Sequence, residues 1–570
     1  MHAPRPRDKE QSKGIVYCKA KETQETVDRR SGGKDEPRDM EEMVNTIRVM
    51  LRTMGDGEIS ASAYDTAWVA LVKNHNGSDS PQFPSTIDWI SHNQLPDGSW
   101  GDDLCFLVHD RLLNTLACVI ALMEWKVHGD KREKGLSFIR ENIWRLAQEE
   151  EAWMPVGFEI TFPSLLEIAK DLALDIPYDD PALHKIYAQR ELKLKKIPRE
   201  ILHSLPTSLL LSIEGLRGLD WKRLLKLQLS DGSFLSSPAA TAYVLMQTGD
   251  KKCLEFLDGI VSKFHGGVPF LYPIEIFERV WAVDRLERLG ISYYFKTEID
   301  EYCLEYTFRH WTKEGVTYNW HSSVKDIDTG SMAFRLLRLH GYSVSPNCYA
   351  LDFPWKASLP RVETRMYLEQ YGAGRDVWIG KSLYRLPLVN NDLYHNMAKA
   401  DFKCFQRRCQ LEWHGINKWY AENDLEVYGV THKSALTAFF LAAANIFEPN
   451  RADERLQWRI QDLSEGYSKL KKKSYRTQKI GLGKSYRSGN DMFKALKEGP
   501  DLQKAEELDR QVDMEMQKLA LLVLQNYNAA DRLSNRTFLD VVKSFCYIAH
   551  CSPETVDRHI FMVMFDNLIR

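Results

Sequence analysis

The chain has 570 residues, 44% of them hydrophobic and 11% aromatic, with a formal net charge of −3. That is enough apolar material for two or three packed domains; the near-neutral charge gives no basis for a nucleic-acid partner, and no apolar run reaches the roughly 20 residues that span a bilayer. The ten cysteines form no Cys-x-x-Cys pair and have no zinc-spaced histidine pair beside them, so they read as free thiols in a reducing compartment.

Residues 1–40 are charged and lack an apolar h-region, which excludes a secretory signal, and Asp8, Glu10, Glu22 and Glu25 are too much acid for a good transit peptide. A disordered leader is expected there, with Ile15-Val16-Tyr17-Cys18 as the candidate remnant of a processing region. Beyond it, apolar residues recur at helical spacing, as at Leu112, Leu113, Leu116, Val119, Ile120 and Leu122, and strand-like alternation is rare. An all-α fold follows. Gln94-x-x-Asp97-Gly98-Ser99-Trp100 and Gln228-x-x-Asp231-Gly232-Ser233-Phe234 repeat one pattern, a turn beside an aromatic, as expected where helix pairs stack in a ring; two unrelated surface turns are the alternative. The cluster Glu149-Glu150-Glu151 offers carboxylate oxygens of the kind a hard cation takes, or is an exposed helix face. Lys193, Lys195 and Lys196 form a basic run before Ile197-Pro198, ordinarily a solvated one. The basic, Gly- and Ser-containing stretch 471–490 is expected to be disordered.

The segment Asp326-Ile327-Asp328-Thr329-Gly330-Ser331-Met332-Ala333-Phe334-Arg335 carries the most chemistry. Two carboxylates stand just before an amphipathic helical run. Like charges so close resist ionising together, which raises one pKa and leaves a proton for donation, even to a carbon-carbon double bond. A helix dipole favours the ionised form instead, and an Asp at a helix start is also an ordinary cap. Trp320, a little upstream, suits a pocket in which cations form, since an aromatic face stabilises positive charge by about 0.5–2 kcal/mol, and equally suits a packed core.

With this segment, Ser62-Ala63-Tyr64-Asp65-Thr66-Ala67-Trp68, Gln94 to Gly101, Leu192 to Pro198, Leu336 to Tyr342, Leu351 to Trp355, Val377-Trp378-Ile379-Gly380-Lys381 and Thr537 to Phe545 resemble, in order, the plant class II diterpene cyclases, the copalyl diphosphate synthase family. The resemblance implies α/α barrels: a γ domain over 81–271 inserted into a β domain of 56–80 and 272–440, with 41–55 and 441–570 forming a truncated α domain. It implies protonation-initiated cyclisation of geranylgeranyl diphosphate to a bicyclic labdane- or clerodane-type diphosphate, which then passes to a class I diterpene synthase, and a plastid address. By the same resemblance Asp328 is the general acid, with Asp326 and Thr329 as its tuning neighbours; the family has Asp at the Thr329 position, and Thr supplies no like charge. Trp320 belongs to the same surroundings. Lys193, with Lys195 beside it, is implied to hold the diphosphate, and Glu149, Glu150 and Glu151 to match an acidic motif linked to magnesium. Leu211 and Phe270 match the His and Asn that hold the deprotonating water in relatives making the ent product; neither can hold water by a side-chain hydrogen bond.

Two departures stand out. Between Asn347 and Tyr349 the chain lacks roughly 75 residues of the family's β barrel, more than a loop adjustment absorbs, and the family's second diphosphate lysine goes with them. After Trp458 on the order of 100 residues of the α domain are absent. Missing barrel helices are expected to expose apolar surface, so a truncated, catalytically inactive member that keeps only prenyl-diphosphate or partner binding is the rival reading. No Asp-Asp-x-x-Asp occurs, since Asp102-Asp103 and Asp179-Asp180 continue otherwise, so ionisation of the diphosphate is not expected. A farnesyltransferase-like barrel would need zinc-ligand groupings that the sequence lacks.

Overall fold

The computed structural model describes residues 36–150, 153–322, 324–344, 359–370, 376–424, 426–427, 431–452 and 551–568. It is built almost wholly of helices, with one two-stranded antiparallel hairpin that pairs Trp378 with Tyr384 and Ile379 with Leu383. No helix among the described residues is long and apolar enough to cross a membrane. The first helix, Glu36–Arg52, starts inside the span expected to be disordered; its Val44, Ile47 and Leu51 are buried at helical spacing. The segments 345–358, 453–550 and Glu151 lie outside the described residues.

Three large cores and a small fourth, which sets Cys105 and Leu107 against Leu383 of the hairpin, organise the described residues. Two fill the segment from Ala63 to Tyr272. The third joins 44–59 to 274–447 and 560–568. The helix Ala63–Ala70, expected by resemblance to go with 272–440, packs instead among the helices Val108–Glu124 and Pro238–Thr248. All eight of its residues are buried, Asp65 and Thr66 among them, so the helix has no solvent face and sits inside the ring. The parts expected to form a separate α domain, 41–55 with the described ends of 441–570, share one core with 274–440.

The repeated turns are the same structure twice. Gln94 Nε2 donates to the Gly98 carbonyl at 2.9 Å and Gln228 Nε2 to that of Gly232 at 3.0 Å. Asp97 and Asp231 each accept from the backbone and hydroxyl of the Ser two residues on. Trp100 N and Phe234 N each donate to a threonine hydroxyl at 3.0 Å. Gly98 and Gly232 adopt φ of +85° and +89°, a region costly for any residue with a Cβ, so unrelated turns are ruled out.

Candidate active site

Asp326 is the N-cap of the helix Ile327–Leu339. Its carboxylate accepts from Asp328 N at 3.3 Å, from Thr329 N at 2.9 Å and from the Thr329 hydroxyl. The helix start therefore has its free N–H groups satisfied by one acid, which leaves the other unencumbered. Asp328 stands in the first turn with part of its surface exposed, and its pKa is raised, first by partial burial and then by the Asp326 charge. Thr329 is buried and spends its hydroxyl on Asp326, so the one like charge acting on Asp328 from within the motif is that of Asp326.

A group of aromatics is stacked around the short hairpin. Tyr384 stacks on Phe270 with centroids 5.5 Å apart and on Trp378 at 6.5 Å; Trp378 lies 4.6 Å from Trp281 and 5.6 Å from Phe277. The Tyr384 phenol is pushed well up by burial and by the charges of both Asp326 and Asp328. Tyr384, Trp378, Trp281 and Phe277 are each half-buried. The hairpin carrying Trp378 and Tyr384 is pinned on both sides: Gly380 lies so close to the Phe270 ring that a Cβ would meet it at 2.5 Å, and the Gly380 carbonyl accepts from Val156 N at 2.8 Å. Of these aromatics the sequence singles out Phe270 alone; Trp378 lies in the Val377 to Lys381 segment, read there as family likeness and not as chemistry, and Tyr384, Trp281 and Phe277 carry no such signal.

The other expected residues are less closely joined. Trp320 is 56% exposed and stacked on His321 at 3.5 Å, so the packed-core alternative is wrong; the short loop that holds it turns the indole outward while its backbone is fixed from below. Leu211 lies half-buried in the 3-10 stretch Ser208–Gly215, beside Ser212, which touches Gly157. Lys193 pairs with Glu159, a buried acid one turn into the helix Phe158–Asp171 whose second oxygen has no partner. Lys195 pairs with Glu191 on its own helix at 3.9 Å, and both are exposed.

The acidic run does not make a magnesium site among the described residues. Glu149 is committed to His109, accepting from its backbone N–H at 3.0 Å and lying 3.3 Å from its ring. Glu150 is exposed, Glu151 lies outside the description, and no group of three or more His, Cys, Asp or Glu among the described residues could hold a metal.

The terpene synthase N-terminal domain family matches residues 220–351, the stretch that carries Phe270 and the acid pair. The chain is 44% identical to the chloroplastic syn-copalyl diphosphate synthase of Oryza sativa subsp. japonica, covering 98% of this chain and 94% of that protein. The alignment runs over 719 positions, more than this chain contains, so internal segments of that relative have no counterpart here. It is 50% identical to the chloroplastic ent-copalyl diphosphate synthase 2 of Zea mays, over 74% of this chain and 60% of that one. Among solved structures, ent-copalyl diphosphate synthase from Arabidopsis thaliana, crystallised with an aza analogue of geranylgeranyl thiolodiphosphate, superposes with a TM-score of 0.78 at 38% identity, covering 92% of this chain and 99% of that one. The helical fold, the paired turns and the capped acid pair find their common explanation in these likenesses: the chain belongs to the copalyl diphosphate synthase family of class II diterpene cyclases.

Proposed function

We propose that this chain converts geranylgeranyl diphosphate to a bicyclic labdane- or clerodane-type diphosphate, with Asp328 as the general acid. One observation carries the reading: two acids share one helix start, Asp326 capping it and Asp328 left uncommitted with its pKa raised. Asp328 gives its proton to the terminal alkene, two carbon-carbon bonds close the rings, and a proton leaves the final cation, so the reaction is an isomerisation that keeps the diphosphate. Aromatic faces at Phe270, Trp378 and Tyr384 stabilise the passing cation by about 0.5–2 kcal/mol each where desolvated.

Lys193 is the proposed diphosphate anchor, which exchanges Glu159 for the substrate. Lys195 and Trp320 are proposed only as neighbours of the anchor and of the acid. Leu211 and Phe270 offer no hydrogen bond to a deprotonating water, so the outcome departs from the ent product; relatives whose names carry different products, syn and ent, stand at comparable identity. The described carboxylates do not fit magnesium, and no step here runs through it. A plastid location, as in the relatives' names, and transfer of the product to a class I synthase complete the proposal. The inactive-truncation reading is not favoured, because most of the chain aligns with named synthases.

The test is incubation of purified protein with geranylgeranyl diphosphate, dephosphorylation, and gas chromatography with mass spectrometry beside Asp328→Ala. A bicyclic diterpene alcohol from the wild type that disappears in the variant is the expected result. Only geranylgeraniol from folded wild-type protein would refute the reading.

A further inference from the structure

The loop 316–325 leads into the acid pair and is held to the start of the helix Glu275–Arg288 by a reciprocal set of bonds. That helix has no side-chain cap of its own, and its Ile276 and Phe277 N–H groups both donate to the Tyr318 carbonyl, at 3.2 and 3.0 Å. In return Glu275, the first helical residue, accepts from Trp320 N at 2.8 Å. The logic is that of a capping box, with the two halves far apart in sequence. Asn319 locks the residue between them: its amide nitrogen donates to the Pro273 carbonyl at 2.6 Å and to Ser236 Oγ at 2.9 Å, and its oxygen accepts from Ser322 N at 2.8 Å. The Tyr318 hydroxyl donates to the Leu235 carbonyl at 2.9 Å, and the residues so anchored end only a few positions before Asp326 in the chain. Glu275 is 2% exposed and its second oxygen has no hydrogen-bond partner, a costly arrangement for a residue needed only for packing.

We infer that Glu275 is the positioning residue of the acid loop, its bond to the Trp320 backbone fixing where Asp328 presents its proton. The inference rests on the cyclase reading for its kinetic consequence and not for its structural one. Burial raises the pKa of Glu275 to about 7, and a glutamine oxygen reproduces the acceptor whether the acid is charged or neutral.

Three variants test it: Glu275→Leu, which deletes the acceptor at similar volume; Glu275→Gln, which keeps it; and Trp320→Pro, which removes the donor at an exposed position. Each is measured by hydrogen exchange of the 316–322 amides and by kcat and KM with geranylgeranyl diphosphate. Leu and Pro are expected to speed exchange in that segment and to lower kcat by about a hundredfold with KM unchanged, the cost of a roughly 1 Å misplacement; Gln is expected to restore both. Equal behaviour of Leu and Gln, or wild-type exchange in Leu, would overturn the inference. Should Leu fail to fold, Pro decides by the same two outcomes. A wild type without turnover would sink the cyclase reading and leave the exchange arm to judge Glu275.

Discussion

Asp326 and Asp328 are the same residue type two positions apart, and their surroundings give them different duties. Asp326 accepts three donors and caps the helix; Asp328 accepts none of them and is left to donate. Because Thr329 cannot carry charge, the raised pKa of Asp328 depends on its own burial and on Asp326. Asparagine in place of Asp326 still caps a helix but brings no charge. In Asp326→Asn the pKa of Asp328 should therefore fall, and since the reaction uses the protonated acid, the fraction available at any fixed pH falls with it. The expected result is a pH profile of kcat whose high-pH limb moves to lower pH than in the wild type; a limb left in place would show that Asp326 is a cap and nothing more. The cap was legible from Asp followed by a helical run. Which acid keeps its proton was implied, as Asp328, by the family resemblance and not by the residues themselves, because that depends on where the Thr329 hydroxyl points.

The helix that begins at the acid pair ends at His340, and its far end is clamped as firmly as its start. His340 lies between Asp300, 3.2 Å from Nδ1, and Glu287, 3.1 Å from Nε2. Burial works against its charge, but the hydrogen bonds to Asp300 and Glu287 outweigh it and raise the pKa to about 9. Unfolded, the ring titrates near 6.5. A folded pKa above the unfolded one means the stabilisation is fully present below about pH 6.5 and is lost as pH rises through about 9. A shift of this size corresponds to up to about 3 kcal/mol. Chemical denaturation should therefore show the wild type losing its advantage over His340→Gln between those limits; a difference constant with pH would mean that the imidazole is held neutral. The helix itself was readable from Phe334 to Leu339, whose apolar spacing is strong. The clamp was not, since Glu287 and Asp300 arrive from segments with nothing in their sequence that points to His340. Tyr384 escaped for the same reason, lying more than fifty residues along the chain from the acids whose charges raise its pKa.

For the whole molecule, periodicity was enough to give an all-helical chain and its paired turns, because those signals are local and repeat. The partition of helices among the cores was not, because Ala63–Ala70 mixes Asp65 and Thr66 with apolar residues and is buried all round, so its sequence does not say which ring it fills. What joins the parts is polar and buried. Lys381, 2% exposed at the bend of the hairpin, donates to Glu214 Oε1 at 2.8 Å and to Ser237 Oγ at 3.0 Å, and the Tyr64 hydroxyl donates to the same Glu214 oxygen at 2.8 Å. Glu214 is the last residue but one of the 3-10 stretch that carries Leu211, so this ion pair ties the aromatic hairpin to that stretch. Charges removed from water are stabilised only by each other, so losing one partner costs more than losing both. Lys381→Met should destabilise the chain by about 3–5 kcal/mol, by leaving Glu214 buried without its cation. The double variant Lys381→Met with Glu214→Leu should recover most of that loss, and a denaturation cycle over the four proteins measures the coupling. Additive losses would mean that the two side chains stabilise the fold separately and that the hairpin is held by its backbone bonds alone.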